Sequence, residues 1–189
     1  HNCYFSILNM LTMKQLFVTL TLLAGSFITT AQTSKPMNLK QVMLKQLKTT
    51  HNVEEWFAPL NIAIDGLTPE QANWKEKNAD HSIAELTTHL IFWNSEQLAK
   101  FLNQPAPAFS GNNNETFSAV TNDDWSAIVK KADSVLTAWE NAIATADEAK
   151  LEKWYDTIGH ISTHNAYHTG QIVYIRKTQG SWNPAKGVK

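Results

Sequence analysis

Ile158-Gly159-His160-Ile161-Ser162-Thr163-His164-Asn165-Ala166-Tyr167-His168-Thr169-Gly170-Gln171-Ile172 holds three of the chain's seven histidines, each four residues from the next. On an α-helix four residues turn about 40° beyond a full circle and rise roughly 6 Å. The three imidazoles therefore share one slowly drifting stripe, and neighbours at i and i+4 can grip one metal ion. The outer pair, His160 and His168, is roughly 12 Å apart along the axis. That is too far for both to reach one ion at a nitrogen–metal distance of about 2.0–2.1 Å. Ile161, Ile172 and Ile175 fall on the same side as His164 and His168. Two imidazoles thus stand on the face that an amphipathic helix buries. Buried polar groups need partners, which here means hydrogen bonds, a metal ion or a polar cavity.

Outward from this stretch, the rest of the chain reads as helix. From Asn38, apolar residues recur every three or four positions through Leu39, Met43, Leu47, Val53, Phe57, Leu60 and Ile64. Pro59 should kink this first helix, and Asp65-Gly66 should end it. Thr68-Pro69-Glu70 opens a turn or a one-turn helix. Ser82-Ile83-Ala84-Glu85 is a capping box that starts a second helix with Leu86, His89, Leu90 and Trp93, running to Leu102. The stretch to about Thr121, with Pro105, Pro107, Gly111 and Asn112-Asn113-Asn114, is the longest irregular segment, and such loops are often lids or binding loops. Asn122-Asp123-Asp124 places negative charge at the start of a third helix, which carries Trp125, Ile128, Val129, Ala132, Val135, Leu136, Trp139 and Ile143 and ends near Ala146. A charged connector, Asp147–Asp156, leads to Thr157 as the expected cap of a fourth helix, which stops at Gly180. No strand alternation or internal repeat is evident. Four amphipathic helices predict an all-α four-helix bundle, and the long loop between the second and third allows a crossover there. A mid-helix Gly170 points to close approach of another helix or of a ligand.

The chain has 189 residues, is 43% hydrophobic and 17% charged, and carries net charge −1. That composition suits one globular domain and offers no basic surface for nucleic acid. Met13-Lys14-Gln15-Leu16, an apolar run to Leu23 and small residues before Ala31 fit a signal peptide, Met13–Ala31. The run is short against the roughly 20 residues of a membrane span. Ser26 stands where a lipidation box needs cysteine. An exported protein, periplasmic or secreted and without a stable membrane anchor after cleavage, is expected; a retained N-terminal anchor is the alternative. Residues 1–31 are read as upstream extension plus signal peptide, 32–37 as a flexible lead, 38–183 as the bundle and 184–189 as a tail. Met10 is an alternative start. The single cysteine, Cys3, lies upstream of either start, so a mature chain would have neither disulfide nor cysteine nucleophile.

His89 lies one residue off the Leu86–Leu90–Trp93 seam, and alone it reads as a hydrogen-bonded core residue. With His164 and His168 it completes a recurring recipe for a metal in a helical bundle: an i, i+4 pair on one helix and one histidine from another. Three protein ligands leave a position for water or substrate, as in catalytic zinc sites. Spacing allows either His160–His164 or His164–His168 as the pair, and the isoleucine phase favours the second, leaving His160 at the rim. His51 flanks the first helix's stripe and either bonds into the site or is solvated. His81 reads as a surface residue before the capping box.

Ser82–Trp93 resembles the second-helix motif of the DinB-like superfamily. His164-Asn165-Ala166-Tyr167-His168-Thr169-Gly170-Gln171 resembles its final-helix pattern, His-x-x-x-His-x-Gly-Gln. Trp56–Leu60 and Gly66–Gln71 are similar to the first helix and following turn of some members, so the resemblance spans about residues 38–183. It implies a four-helix bundle of DinB/YfiT-like type, a divalent metal ion held by His89, His164 and His168, and a homodimer. Some related proteins are transferases or isomerases that use low-molecular-weight thiols. An export signal separates this chain from cytoplasmic members, whose thiols are intracellular.

Three functional readings remain at this level. The first is a metal-dependent enzyme, a hydrolase or a thiol-dependent transferase acting on a small molecule. The second is a bundle that binds metal or ligand without turnover, and the third a purely structural set of histidines. Imidazole ligands suit zinc, nickel, iron or copper, with zinc and nickel foremost. No general base stands out: Glu85 is explained by capping, and Tyr167 by packing at a helix edge, although its hydroxyl could donate a proton near a metal. Gln171 is expected to hydrogen-bond within the bundle.

Overall fold

The computed structural model describes residues 36–186. The expected upstream extension, the signal peptide, most of the lead and the last three residues of the tail lie outside them. Six α-helices and one 3-10 turn make up the described chain, which contains no strand: α1 (Leu39–His51), α2 (Leu60–Ile64), α3 (Pro69–Asn73), α4 (Ile83–Phe101), the 3-10 turn Asn113–Thr116, α5 (Trp125–Thr145) and α6 (Glu148–Thr178).

Local sequence sets most of these boundaries. Asn38 and Gln41 cap α1 reciprocally, each side chain accepting from the other's backbone N–H at 2.9 Å. Thr68 and Gln71 do the same for α3, with Pro69 at its first position. Ser82 and Glu85 form the expected box on α4. Each box satisfies N–H groups that a helix start otherwise leaves without partners.

Two expectations about the helices need correction. The first helix does not continue to Ile64. It stops at His51, and the chain resumes as the separate helix α2 with Pro59 as its N-cap. Proline disfavours helical conformation in the residue before it, and Trp56, in the gap, is 91% exposed. The His51 ring also fixes the end of α1 by contacts to Glu140 and Asp133 on α5, at 2.6 and 3.0 Å.

The connector Asp147–Asp156 is helical. Asp147 caps α6 by accepting from the Lys150 N–H at 2.7 Å, so the helix begins nine residues before Thr157. Its charges face outward while Leu151 and Ile158 are buried and Trp154 packs on the core. This i, i+3, i+7 stripe was hidden by the charge density around it. At the start of α5, Asp124 makes no capping bond; its carboxylate instead accepts from the Thr121 hydroxyl at 2.5 Å.

The four long helices form the bundle. Helix α1 packs on α5 and α6, and α4 packs on the same two. Helices α4 and α5 are therefore neighbours. Ser118, late in the long loop, bonds Thr88 near the start of α4, whereas Trp139 of α5 meets Asn94 and Phe101 further along α4. The loop thus runs back along α4 and the two helices run parallel, the crossover that the loop's length allows. Trp139, Phe101, Leu47, Leu90, Ile143, Leu151, Ile158 and Ile172 fill the centre. Complete burial of each such side chain contributes roughly 1.5–3 kcal/mol. Polar ties add register. Asn94 Nδ2 donates to Asn165 Oδ1 at 2.7 Å, and Asn165 Nδ2 returns to Asn94 Oδ1 at 3.3 Å, locking α4 to α6. Trp139 Nε1 donates to the Asn94 carbonyl at 3.0 Å. Arg176 donates to the carbonyls of Ala63, Asp65 and Ser181, fastening α2 and the C-terminal segment to α6.

Candidate metal centre

The Asn94–Asn165 bridge sits beside the histidines in sequence, and the packing it fixes brings His89 of α4 against His164 and His168 of α6. The ring centroids are 5.0 Å apart for His89–His164, 4.7 Å for His89–His168 and 4.5 Å for His164–His168. Each ring offers one nitrogen to a group whose members lie within 4.8 Å of one another. His89 Nε2 and His164 Nε2 are 3.1 Å apart. Two nitrogens bound tetrahedrally at about 2.0–2.1 Å from one ion stand roughly 3.4 Å apart. The donor set thus fits a small divalent ion with slight adjustment. The same 3.1 Å also serves an N–H···N bond in the metal-free state.

The outer nitrogens settle which lone pairs face inward. His168 Nδ1 lies 2.6 Å from Gln171 Oε1, which can only accept, so Nδ1 carries the proton and Nε2 keeps its lone pair. His89 Nδ1 lies 2.5 Å from Thr116 Oγ1. That hydroxyl donates to the Asn113 carbonyl at 2.6 Å, so it accepts from His89 Nδ1–H. Both imidazoles are held in the tautomer that presents Nε2 to the centre, the arrangement by which outer hydrogen bonds orient metal-binding histidines.

The electrostatics agree. Burial, with the neighbouring His168, His164 and His81, lowers the His89 pKa to about 3. Burial and His168 lower that of His164 to about 4. His168 is also lowered by burial, against the opposing bond to Gln171. All three rings are therefore neutral at pH 7, the state that binds a metal without displacing a proton.

Other expected residues take different places. His160 is exposed on the rim of the cleft, 3.7 Å from Asp156. His51 belongs to the buried contacts with Glu140 and Asp133, not to this site. His81 is stacked on Phe117 at 3.7 Å. The Glu85 carboxylate is committed to the Ser82 N–H and Lys75. Tyr167 is exposed, and its hydroxyl accepts from Gln171 Nε2 at 3.3 Å, steadying the amide that orients His168. The close approach expected at Gly170 is not found: a Cβ there would meet nothing within 4 Å.

Sequence reading missed the loop's contribution. Thr116 bonds His89, and Phe117 stacks on the same imidazole at 3.9 Å. Asn113 Oδ1 accepts from Trp93 Nε1 at 3.2 Å. Nothing in the spacing marks these residues; only the length of the irregular segment pointed to it. Asn113 and Phe117 wall one side of an open cleft of about 700 Å³, with Trp93, Gln97, Thr157, His160, Ile161 and Thr163 among its other walls and the three histidines lining it.

The family model of the DinB superfamily matches residues 53–172, a span that contains all three histidines and all four resembling stretches. This chain belongs to the DinB superfamily. No curated protein and no solved structure matches it. As a DinB-superfamily chain it joins an all-helical bundle to a histidine triad that could hold a metal ion. Among its described residues no helix is long and apolar enough to cross a membrane, and no other trio of histidine or acidic side chains converges in this way.

Proposed function

We propose that this protein is a metal-dependent enzyme of DinB/YfiT-like four-helix type, holding zinc or nickel on His89, His164 and His168. The carrying observation is that three neutral imidazoles converge beside an open cleft large enough for a small molecule. A divalent ion bound there would supply Lewis-acid chemistry. The chain's own residues do the rest. Gln171 and Thr116 hold two rings in the binding tautomer, Trp93 and Phe117 exclude water from one wall, and the Asn94–Asn165 bridge keeps α4 and α6 in register. Hydrolysis and thiol-dependent transfer both suit such a site. Export after cleavage of Met13–Ala31 and assembly as a homodimer complete the proposal. They rest on the sequence pattern and the family resemblance.

One observation favours a second reading, metal or ligand binding without turnover: no carboxylate lines the cleft to act as a general base. A panel of small esters, amides and thiol-transfer pairs, assayed on the metal-loaded protein, separates the two. Turnover that a chelator abolishes, zinc restores and His164→Ala lacks supports the enzyme. Stoichiometric metal with no turnover across the panel favours the binding protein.

A further inference from the structure

The wall of the cleft is uncharged. None of its eleven lining residues is lysine, arginine, aspartate or glutamate. Two acids are tied to it from behind: Asp156, beside His160 at the rim, and Glu96, which accepts from Gln97 at 2.7 Å and pairs with Lys100. The rest of the wall is flat and apolar or neutral and polar. Its aromatic part is held rigidly. Trp93 is anchored through its N–H to Asn113, and Phe117 is sandwiched between the His81 and His89 rings at 3.7 and 3.9 Å. Phe109, 41% exposed, packs edge-on to Trp93 with centroids 5.2 Å apart and extends the aromatic surface outward.

Such a surface rewards a planar ring, which gains both buried area and edge or face contacts with aromatic neighbours. Away from the three histidines it gives no partner to a carboxylate, which would be desolvated there without a compensating cation. We infer that the cleft selects a ring-bearing ligand whose donor atom faces the three histidines and whose remainder is uncharged, and disfavours a free carboxylate placed against the wall. Thiols that carry free carboxylates fall in the disfavoured class, and a neutral aromatic amide or ester falls in the favoured one. The donor-atom half rests on the metal reading; the preference of the wall does not.

Calorimetric titration of the zinc-loaded full chain at pH 8 tests it with three probes sharing one zinc-binding group: benzohydroxamate, acetohydroxamate and 4-carboxybenzohydroxamate. Benzohydroxamate should bind at least about tenfold tighter than acetohydroxamate, and the added carboxylate should weaken it at least about fivefold. Trp93→Ala, with zinc retained, should shrink the ring's advantage to under about threefold. Thr163→Lys, at an exposed helical position on the wall, should erase the carboxylate penalty. Equal binding of the ring and methyl probes, tightest binding of the carboxylate probe, or no hydroxamate binding to a zinc-loaded protein would overturn the inference. If the chain takes up no zinc, the metal reading fails separately. Benzamide against acetamide by saturation-transfer NMR then decides the preference of the wall: a benzamide signal weakened in Trp93→Ala upholds it, and equal signals overturn it.

Discussion

Gln171 carries no charge and touches no expected metal position, yet it fixes His168. Its Oε1 accepts from Nδ1 while its Nε2 donates to Tyr167. Gln171→Leu removes the acceptor and frees the ring to rotate or change tautomer. Affinity for zinc should fall roughly 10–100-fold, measured by competition with a chromogenic chelator, whereas Gln171→Glu, which keeps an acceptor, should lose far less. Equal affinity in wild type and Gln171→Leu would show that the bond is incidental. At this scale the sequence reveals what lies along one helix. His164, His168 and Gln171 are readable because three- and four-residue steps are geometric facts. Thr116 and Phe117 are not readable, because they reach His89 across 27 and 28 positions through a loop with no period of its own.

Elements are legible where their signals are local. The Ser82–Glu85 box announces α4 within four residues. The start of α6 was not legible, because Glu148, Lys150, Glu152, Lys153 and Asp156 give the segment the composition of a solvated linker. Leu151 is its decisive residue, 1% exposed, and Leu151→Ala should cost about 2–5 kcal/mol in chemical denaturation. A cost under about 0.5 kcal/mol, the usual range for surface positions, would mean that this first part of α6 contributes little. Gly170 makes the opposite case. With open space where its Cβ would stand, Gly170→Ala should stabilise the protein by about 0.5–1 kcal/mol. Destabilisation instead would indicate a neighbour close against this face in solution, as a homodimer could supply.

The whole molecule links the site to pH and metal. His89 and His164 have folded pKa values near 3 and 4 against an ordinary 6.5. Between these limits the unfolded chain binds the protons first, so their contribution to stability is complete above pH 6.5 and is lost as pH falls toward 4. Asp65 and Asp133 are held below the ordinary carboxylate value of 3.8, chiefly by Lys186 and Asn61 respectively. Their contributions are lost only at lower pH, so the histidines should dominate the decline above pH 4.5. Denaturation of metal-free protein across pH 7.5–4.5 should show this decline, and His164→Asn should flatten it; a pH-independent stability would contradict the burial of neutral rings. Zinc should oppose unfolding as well, by about 2.7 kcal/mol at a hundredfold excess over its dissociation constant.

The most direct test is elemental analysis of the purified, untagged protein beside His168→Ala. About one zinc or nickel ion per chain in the parent, and its loss in the variant, is the expected result. No metal in the parent after incubation with Zn²⁺ or Ni²⁺ at pH 8, or equal metal in both proteins, would contradict a three-histidine centre and leave a helical bundle whose imidazoles bond only to one another and to their neighbours.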